Sequence, residues 1–172
     1  MGGDAHDDAE ERPSLNELRT TPGRGDLFPV PDAVVPDQHG ERLALRELWA
    51  QGPALLVLVP AAFSTHCTAE LGSLAFEIER FDDAGVQVAA LSCDPVTSLK
   101  SWAEDRFYPF PLLSDFWPHG AVSRDLGAFD EDLGVSQRVS LLVVDGTVRW
   151  SLRGELGAPR SLATHLSALD QL

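Results

Sequence analysis

Cysteine and positive charge are the scarce features of this 172-residue chain, and each scarcity excludes something. Basic residues number 13 against 27 acidic ones, a formal net charge of -14. A nucleic-acid backbone or an anionic membrane surface would repel such a protein, so neither is expected as a partner. Long apolar runs are absent too: the longest, Pro53 to Phe63, is far too short to cross a bilayer. The start of the chain lacks the basic and apolar segments of a secretory signal, which predicts a cytoplasmic protein. There, the two cysteines, Cys67 and Cys93, are not expected to form a permanent disulfide, so each calls for either chemistry or burial. No internal repeat, glycine-rich phosphate loop or paired-cysteine zinc spacing occurs, which sets those classes aside.

What is present divides the chain in two. Residues 1–24 carry Asp4, Asp7, Asp8, Glu10 and Glu11 with few bulky apolar side chains, and read as an acidic, disordered tail. Residues 25–172 suffice for one compact domain. Prolines at 29, 31 and 36 keep its first stretch extended, and Asp37-Gln38-His39-Gly40 has the chemistry of a hairpin turn. Leu43, Leu45 and Leu48 then lead into one or two helical turns ending near Trp49. Ala54 to Val59 is continuously apolar between Gly52-Pro53 and Pro60, the pattern of a central strand buried on both faces.

From Thr65 to Phe81, Leu71, Leu74, Ala75, Ile78 and Phe81 recur at steps of three and four with Glu70, Glu77, Glu79 and Arg80 between them. That spacing predicts one amphipathic helix of about four turns. A second buried strand over Val86 to Leu91 and a helix from Val96 to about Asp105 follow. Phe110 to Leu113 reads as a short strand, Pro118 to Leu126 as a short helix, and Arg160 to Leu172 as a final helix. Val139 to Val144 and Val148 to Leu152 form a hairpin closed at Asp145-Gly146. The order implies an α/β fold, a central mixed sheet with helices on both faces.

The chemistry concentrates where the central strand passes into the amphipathic helix, at Pro60-Ala61-Ala62-Phe63-Ser64-Thr65-His66-Cys67. Cys67 falls in or just before the first helical turn, where unpaired N–H groups and the positive end of the helix dipole favour a thiolate. Ser64, three residues earlier, can accept a backbone hydrogen bond, donate to the sulfur, or hold one oxygen of a bound molecule. Pro60 stops the strand and can shape a loop that shields the cysteine.

Pro60, Ser64 and Cys67 match the peroxiredoxin pattern of proline, three residues, threonine or serine, two residues, cysteine, and Thr68-Ala69-Glu70 resembles the family as well. The stretch Phe110 to Gly120 is similar to that of actinobacterial one-cysteine peroxiredoxins of the alkyl hydroperoxide reductase E type. The resemblance runs from about Gly25 to Leu172 and implies a thioredoxin-like fold and a homodimer. It also implies an arginine from a later strand beside the cysteine, for which Arg138, in Val135-Ser136-Gln137-Arg138-Val139-Ser140, is the candidate. A fixed cation there would stabilise both the thiolate and the charge developing on a leaving oxygen. The implied activity is a thiol-dependent peroxidase: Cys67 takes an oxygen from hydrogen peroxide or an organic hydroperoxide and an external thiol, of low molecular weight or carried by a small redoxin, restores it. No metal or organic cofactor is required.

Two features depart from that pattern. His66 stands where a small or apolar residue is expected, and it either tunes the sulfur or faces solvent; solvent is favoured. Cys93 ends the strand after the Cys67 helix and reads as a small buried residue, away from the positions in which relatives carry a resolving cysteine. Other classes stay open: a domain recruited to a biosynthetic reaction, a redox-sensing module that passes oxidation to a partner, and, weakest, a metal site built from His66, Cys67, Cys93, His119 or His39.

Overall fold

The computed structural model describes residues 28–172, so the acidic tail expected at residues 1–24 lies outside the described residues. The first described residues are extended along the edge of the sheet, with Val148 N donating to Phe28 O and Val30 N to Gly146 O. The expected turn at Asp37 closes the antiparallel pair β1 (Val34–Pro36) and β2 (Arg42–Ala44), and a single 3-10 segment, Leu45–Trp49, follows.

β3 (Ala54–Leu58) is buried along its whole length, as continuous apolar sequence requires of a strand covered on both faces. It is flanked by parallel β4 (Gln87–Ser92) and antiparallel β8 (Val139–Val144). With β5 (Leu112–Ser114) and β9 (Thr147–Arg153) the sheet order is β5-β4-β3-β8-β9, a mixed sheet as expected. The tight turn between β8 and β9 needs two left-handed residues, supplied by Asp145 and Gly146 at φ 51° and 74°.

Alternation along the strands builds two cores. Leu55, Val57, Val88, Ala90, Leu142 and Trp150 face α1 (Thr65–Phe76), α2 (Ile78–Asp83) and α3 (Val96–Arg106). Leu56, Leu58, Ala89, Leu91, Leu141 and Val143 face the 3-10 segment and α4 (Ala121–Asp125). The fold is α/β with helices on both faces, and no helix among the described residues is long and apolar enough to cross a membrane.

The structure corrects three expectations. The helix predicted over Thr65 to Phe81 is broken at Glu77, whose backbone (φ -105°, ψ 20°) leaves the helical region, so Phe81 packs from a separate helix. Arg138, which the resemblance places on a later strand, lies between two: β7 (Val135–Ser136), which pairs with β6 (Phe129–Asp130), and β8, which starts at Val139 as expected. The final helix begins after Arg160, at α5 (Leu162–Leu166) capped by Ser161, and ends in a 3-10 turn at Leu169–Gln171.

Candidate active site

The end of β3 sets the location of the site. Val59 N still bonds to Leu91 O, and Pro60, which has no N–H to offer, ends the pairing. The chain then turns through Phe63, held at φ 61°, into α1. Asp94 anchors this turn from the neighbouring strand end by accepting from Ala62 N at 2.8 Å and from Ser92 Oγ at 2.8 Å.

Ser64 is the N-cap of α1, and its Oγ accepts from Cys67 N at 3.2 Å. Of the three uses open to that hydroxyl, the structure shows the first, and its proton remains available to donate. Cys67 is therefore the third residue of the helix, within reach of its free N–H groups and positive dipole. It is fully buried, and Leu71 and Leu74 extend the same face into the core. Trp102 Nε1 donates to Thr68 Oγ1 at 3.3 Å beside it, and burial pushes the Tyr108 hydroxyl up to about 12. His66, one residue earlier on the helix, is exposed.

Arg138, immediately before β8, reaches across to this helix end. Its Nη2 donates to Cys67 Sγ at 3.6 Å and to Leu156 O at 3.1 Å, its Nε to Glu155 O at 3.0 Å, and its Nη1 to Glu70 Oε2 at 3.1 Å. The guanidinium is 1% exposed and every nitrogen is engaged. Cys67, Ser64 and Arg138 are thus brought together, and Pro60 closes the strand from which the loop departs.

Two residues of the cluster were not singled out from sequence. Glu70, placed between the apolar positions of an amphipathic helix and quoted with Thr68-Ala69 in the resemblance but given no role, is 1% exposed. Besides Arg138 it accepts from Arg160 through the backbone N at 2.9 Å, Nε at 3.0 Å and Nη2. Burial alone would push the Glu70 carboxyl up, but the charge and hydrogen bonds of Arg160 outweigh it and hold the group below its ordinary value. Arg160, buried just ahead of α5, also donates from Nη2 to Leu58 O at 3.0 Å. The available signal was local: Glu70 lies one helical turn after Cys67 and shares its face.

Cys93 belongs elsewhere. Val88 and Ala90 of β4 pack in the core that holds Cys67, whereas Ala89 and Leu91 pack in the other, against α4. Cys93, one residue past the end of β4, is bonded on the α4 side. Its Sγ lies 3.4 Å from Ser136 Oγ, in a buried chain that runs on through Ser123 to Asp115. Burial pushes the Cys93 thiol up. Both cysteines are free, and among the described residues no group of three His, Cys, Asp or Glu side chains could hold a metal ion.

A buried cysteine at a capped helix start, faced by an arginine fixed through a carboxylate, suits thiolate chemistry at sulfur. The description "AhpC/TSA family" matches residues 28–151. The chain belongs to that family. It is 36% identical over 145 residues to alkyl hydroperoxide reductase E of Mycobacterium tuberculosis, covering 83% of this chain and 94% of that protein. It is 28% identical over 151 residues to a 1-Cys peroxiredoxin of Arabidopsis thaliana, covering 83% and 68%. Among solved structures, peroxidoxin BcpB of Mycobacterium tuberculosis superposes with a TM-score of 0.70 at 26% identity over 88% of this chain and 95% of that one. A mutant of peroxiredoxin 6 from Arenicola marina gives 0.75 over 86% and 72%, with 24% identity. The fold and the peroxiredoxin class, thiol-dependent peroxidases, are those the sequence motif implied.

Proposed function

We propose that this peroxiredoxin reduces hydrogen peroxide or an organic hydroperoxide with Cys67 as the attacking residue and without help from Cys93. One observation carries the reading: the Arg138 guanidinium lies 3.6 Å from a sulfur held in the first turn of α1. In the reaction the Cys67 thiolate attacks one peroxide oxygen, an S–O bond forms and the O–O bond breaks. The sulfur is oxidised to a sulfenic acid, and the second oxygen leaves with the electron pair and takes a proton to become water or an alcohol. Arg138, the free hydroxyl proton of Ser64 and the N–H groups of the helix start are placed to stabilise the charge as it moves from sulfur to that oxygen. Pro60 shapes the loop that keeps bulk water away.

The return half-reaction follows from the position of Cys93. With that thiol engaged by Ser136 in the buried chain to Ser123 and Asp115, an external thiol attacks the sulfenic sulfur, water leaves, and a second thiol resolves the mixed disulfide. A low-molecular-weight thiol or a small redoxin fits this role, two free cysteines suit a reducing cytoplasm, and the working unit is a homodimer, which gel filtration tests directly.

The decisive experiment mixes the reduced protein rapidly with hydrogen peroxide, follows tryptophan fluorescence and traps sulfenic acid. Fast oxidation is expected in the wild type and in Cys93→Ser and is expected to vanish in Cys67→Ser. A wild type that reacts no faster than a free thiol would refute the reading.

A further inference from the structure

Gly154 follows β9 directly, and its φ lies outside the left-handed region, so its backbone is one that any residue can adopt. The reason for glycine here is space. A Cβ at this position would lie 2.8 Å from Arg160 Cγ and 3.1 Å from both Arg160 Cδ and Arg138 Cδ. Carbon atoms in favourable contact stand about 3.5 to 4.0 Å apart, so the two arginine stems rest on the bare Cα.

Neither stem is free to give way. Arg138 is tied at its head to Glu70, Glu155 O, Leu156 O and the Cys67 sulfur, and Arg160 to Glu70 and Leu58 O. The backbone closes the arrangement, because Gly154 N donates to Arg138 O at 2.8 Å. Residues 154–156 therefore hold Arg138 from three directions: Gly154 supports its backbone and stem, and the next two carbonyls take its guanidinium. A side chain at 154 would push on both stems at once and shift the guanidinium that faces the sulfur.

We infer that Gly154 is a positioning residue for peroxide reduction, its missing side chain setting the distance between the Arg138 guanidinium and Cys67. The inference rests on Cys67 and Arg138 acting as proposed above. Relieving the overlap requires a movement approaching 1 Å, and errors of that size in a reacting geometry cost up to about 100-fold in rate.

The test measures the rate constant for oxidation by hydrogen peroxide in Gly154→Ala and in Gly157→Ala, which alters the same loop where a Cβ meets nothing within 4 Å. A loss of about tenfold to 100-fold is expected for Gly154→Ala and none for Gly157→Ala. Alkylation of Cys67 by iodoacetamide, which needs no guanidinium at a leaving oxygen, should change far less than the peroxide rate.

A Gly154→Ala protein as fast as wild type overturns the inference. Failure of Gly154→Ala to fold beside a folded Gly157→Ala also overturns it, since the glycine is then needed for packing alone. A slow wild type, by contrast, would refute the peroxidase reading itself.

Discussion

His165 offers a sharp test of the electrostatics behind the site. It is fully buried on α5, with Nδ1 3.2 Å from Ser161 O and Nε2 2.9 Å from Ser140 Oγ. A carbonyl only accepts, so Nδ1 carries the proton and Nε2 accepts from the serine hydroxyl. Burial, and then the Arg160 cation nearby, push the imidazole down from 6.5 to about 4. The unfolded chain therefore binds a proton that the folded protein refuses between those values, and stability rises with pH across that window. The contribution is complete above about pH 6.5, falls by about 2 kcal/mol at pH 5 and by about 3 kcal/mol near pH 4. Urea denaturation of wild type and His165→Gln from pH 7.5 to pH 4 isolates the contribution of this imidazole, because the variant keeps every other titrating group. The variant should be the less stable protein at pH 7.5 and should close the gap by about 2 kcal/mol at pH 5. Parallel stability curves would show that the imidazole titrates freely and would refute the account of the buried charges around it.

Three further outcomes follow from the same geometry. Glu70→Gln strips the anion from two buried arginines and should cost about 3 to 5 kcal/mol in urea denaturation, with a matching loss of peroxide reactivity. Since the Glu70 carboxyl is held below 4.5, its contribution is present above that pH and lost below it, on the acid side of the His165 window. Arg138→Lys keeps the charge but loses the fork that reaches Glu70, Leu156 O and the sulfur, and rapid mixing should show a drop of about 100- to 1,000-fold in oxidation rate. Gly120→Ala would set a Cβ 2.1 Å from the Phe129 ring at φ 69°, displacing the ring on which Arg124 stacks at 3.9 Å; thermal denaturation should register a loss of about 1 to 3 kcal/mol.

The sheet was legible because its strands are either uninterrupted apolar runs, as at Ala54 to Val59, or closed by an unambiguous turn, as at Asp145-Gly146. Cys67 was legible because strand, proline, capping serine and helix start lie within a dozen residues. Glu70 was not, since a polar residue between apolar ones reads as solvent-facing unless its partner is known. That partner, Arg160, lies 90 residues away and enters through a turn with no periodicity of its own. The break at Glu77 escaped for a similar reason: the apolar spacing continues through it in register, and only the backbone reveals two helices in place of one. Gly154 carries no sequence signal at all, because the two stems that exclude a Cβ come from residues before and after it that meet only in the fold.

The charges explain why so much is assembled around a single sulfur. Arg138 and Arg160 contribute two buried positive charges and Glu70 one negative, so the three alone leave a net positive charge in a poorly screened interior. A thiolate at Cys67 supplies the fourth charge and completes the pairing; a neutral thiol does not. In the reaction proposed above, the sulfur gives up that negative charge as the departing oxygen acquires it, so the guanidinium keeps a partner throughout. A pair of buried salt bridges adds little to stability compared with a well-packed apolar cluster of the same volume. What this arrangement provides instead is a cation whose position is fixed before substrate arrives, through Glu70 at one nitrogen and the carbonyls of Glu155 and Leu156 at the others. Little reorganisation is then left for the reaction to drive, and for that reason displacing the Arg138 guanidinium should slow oxidation even where its charge is kept.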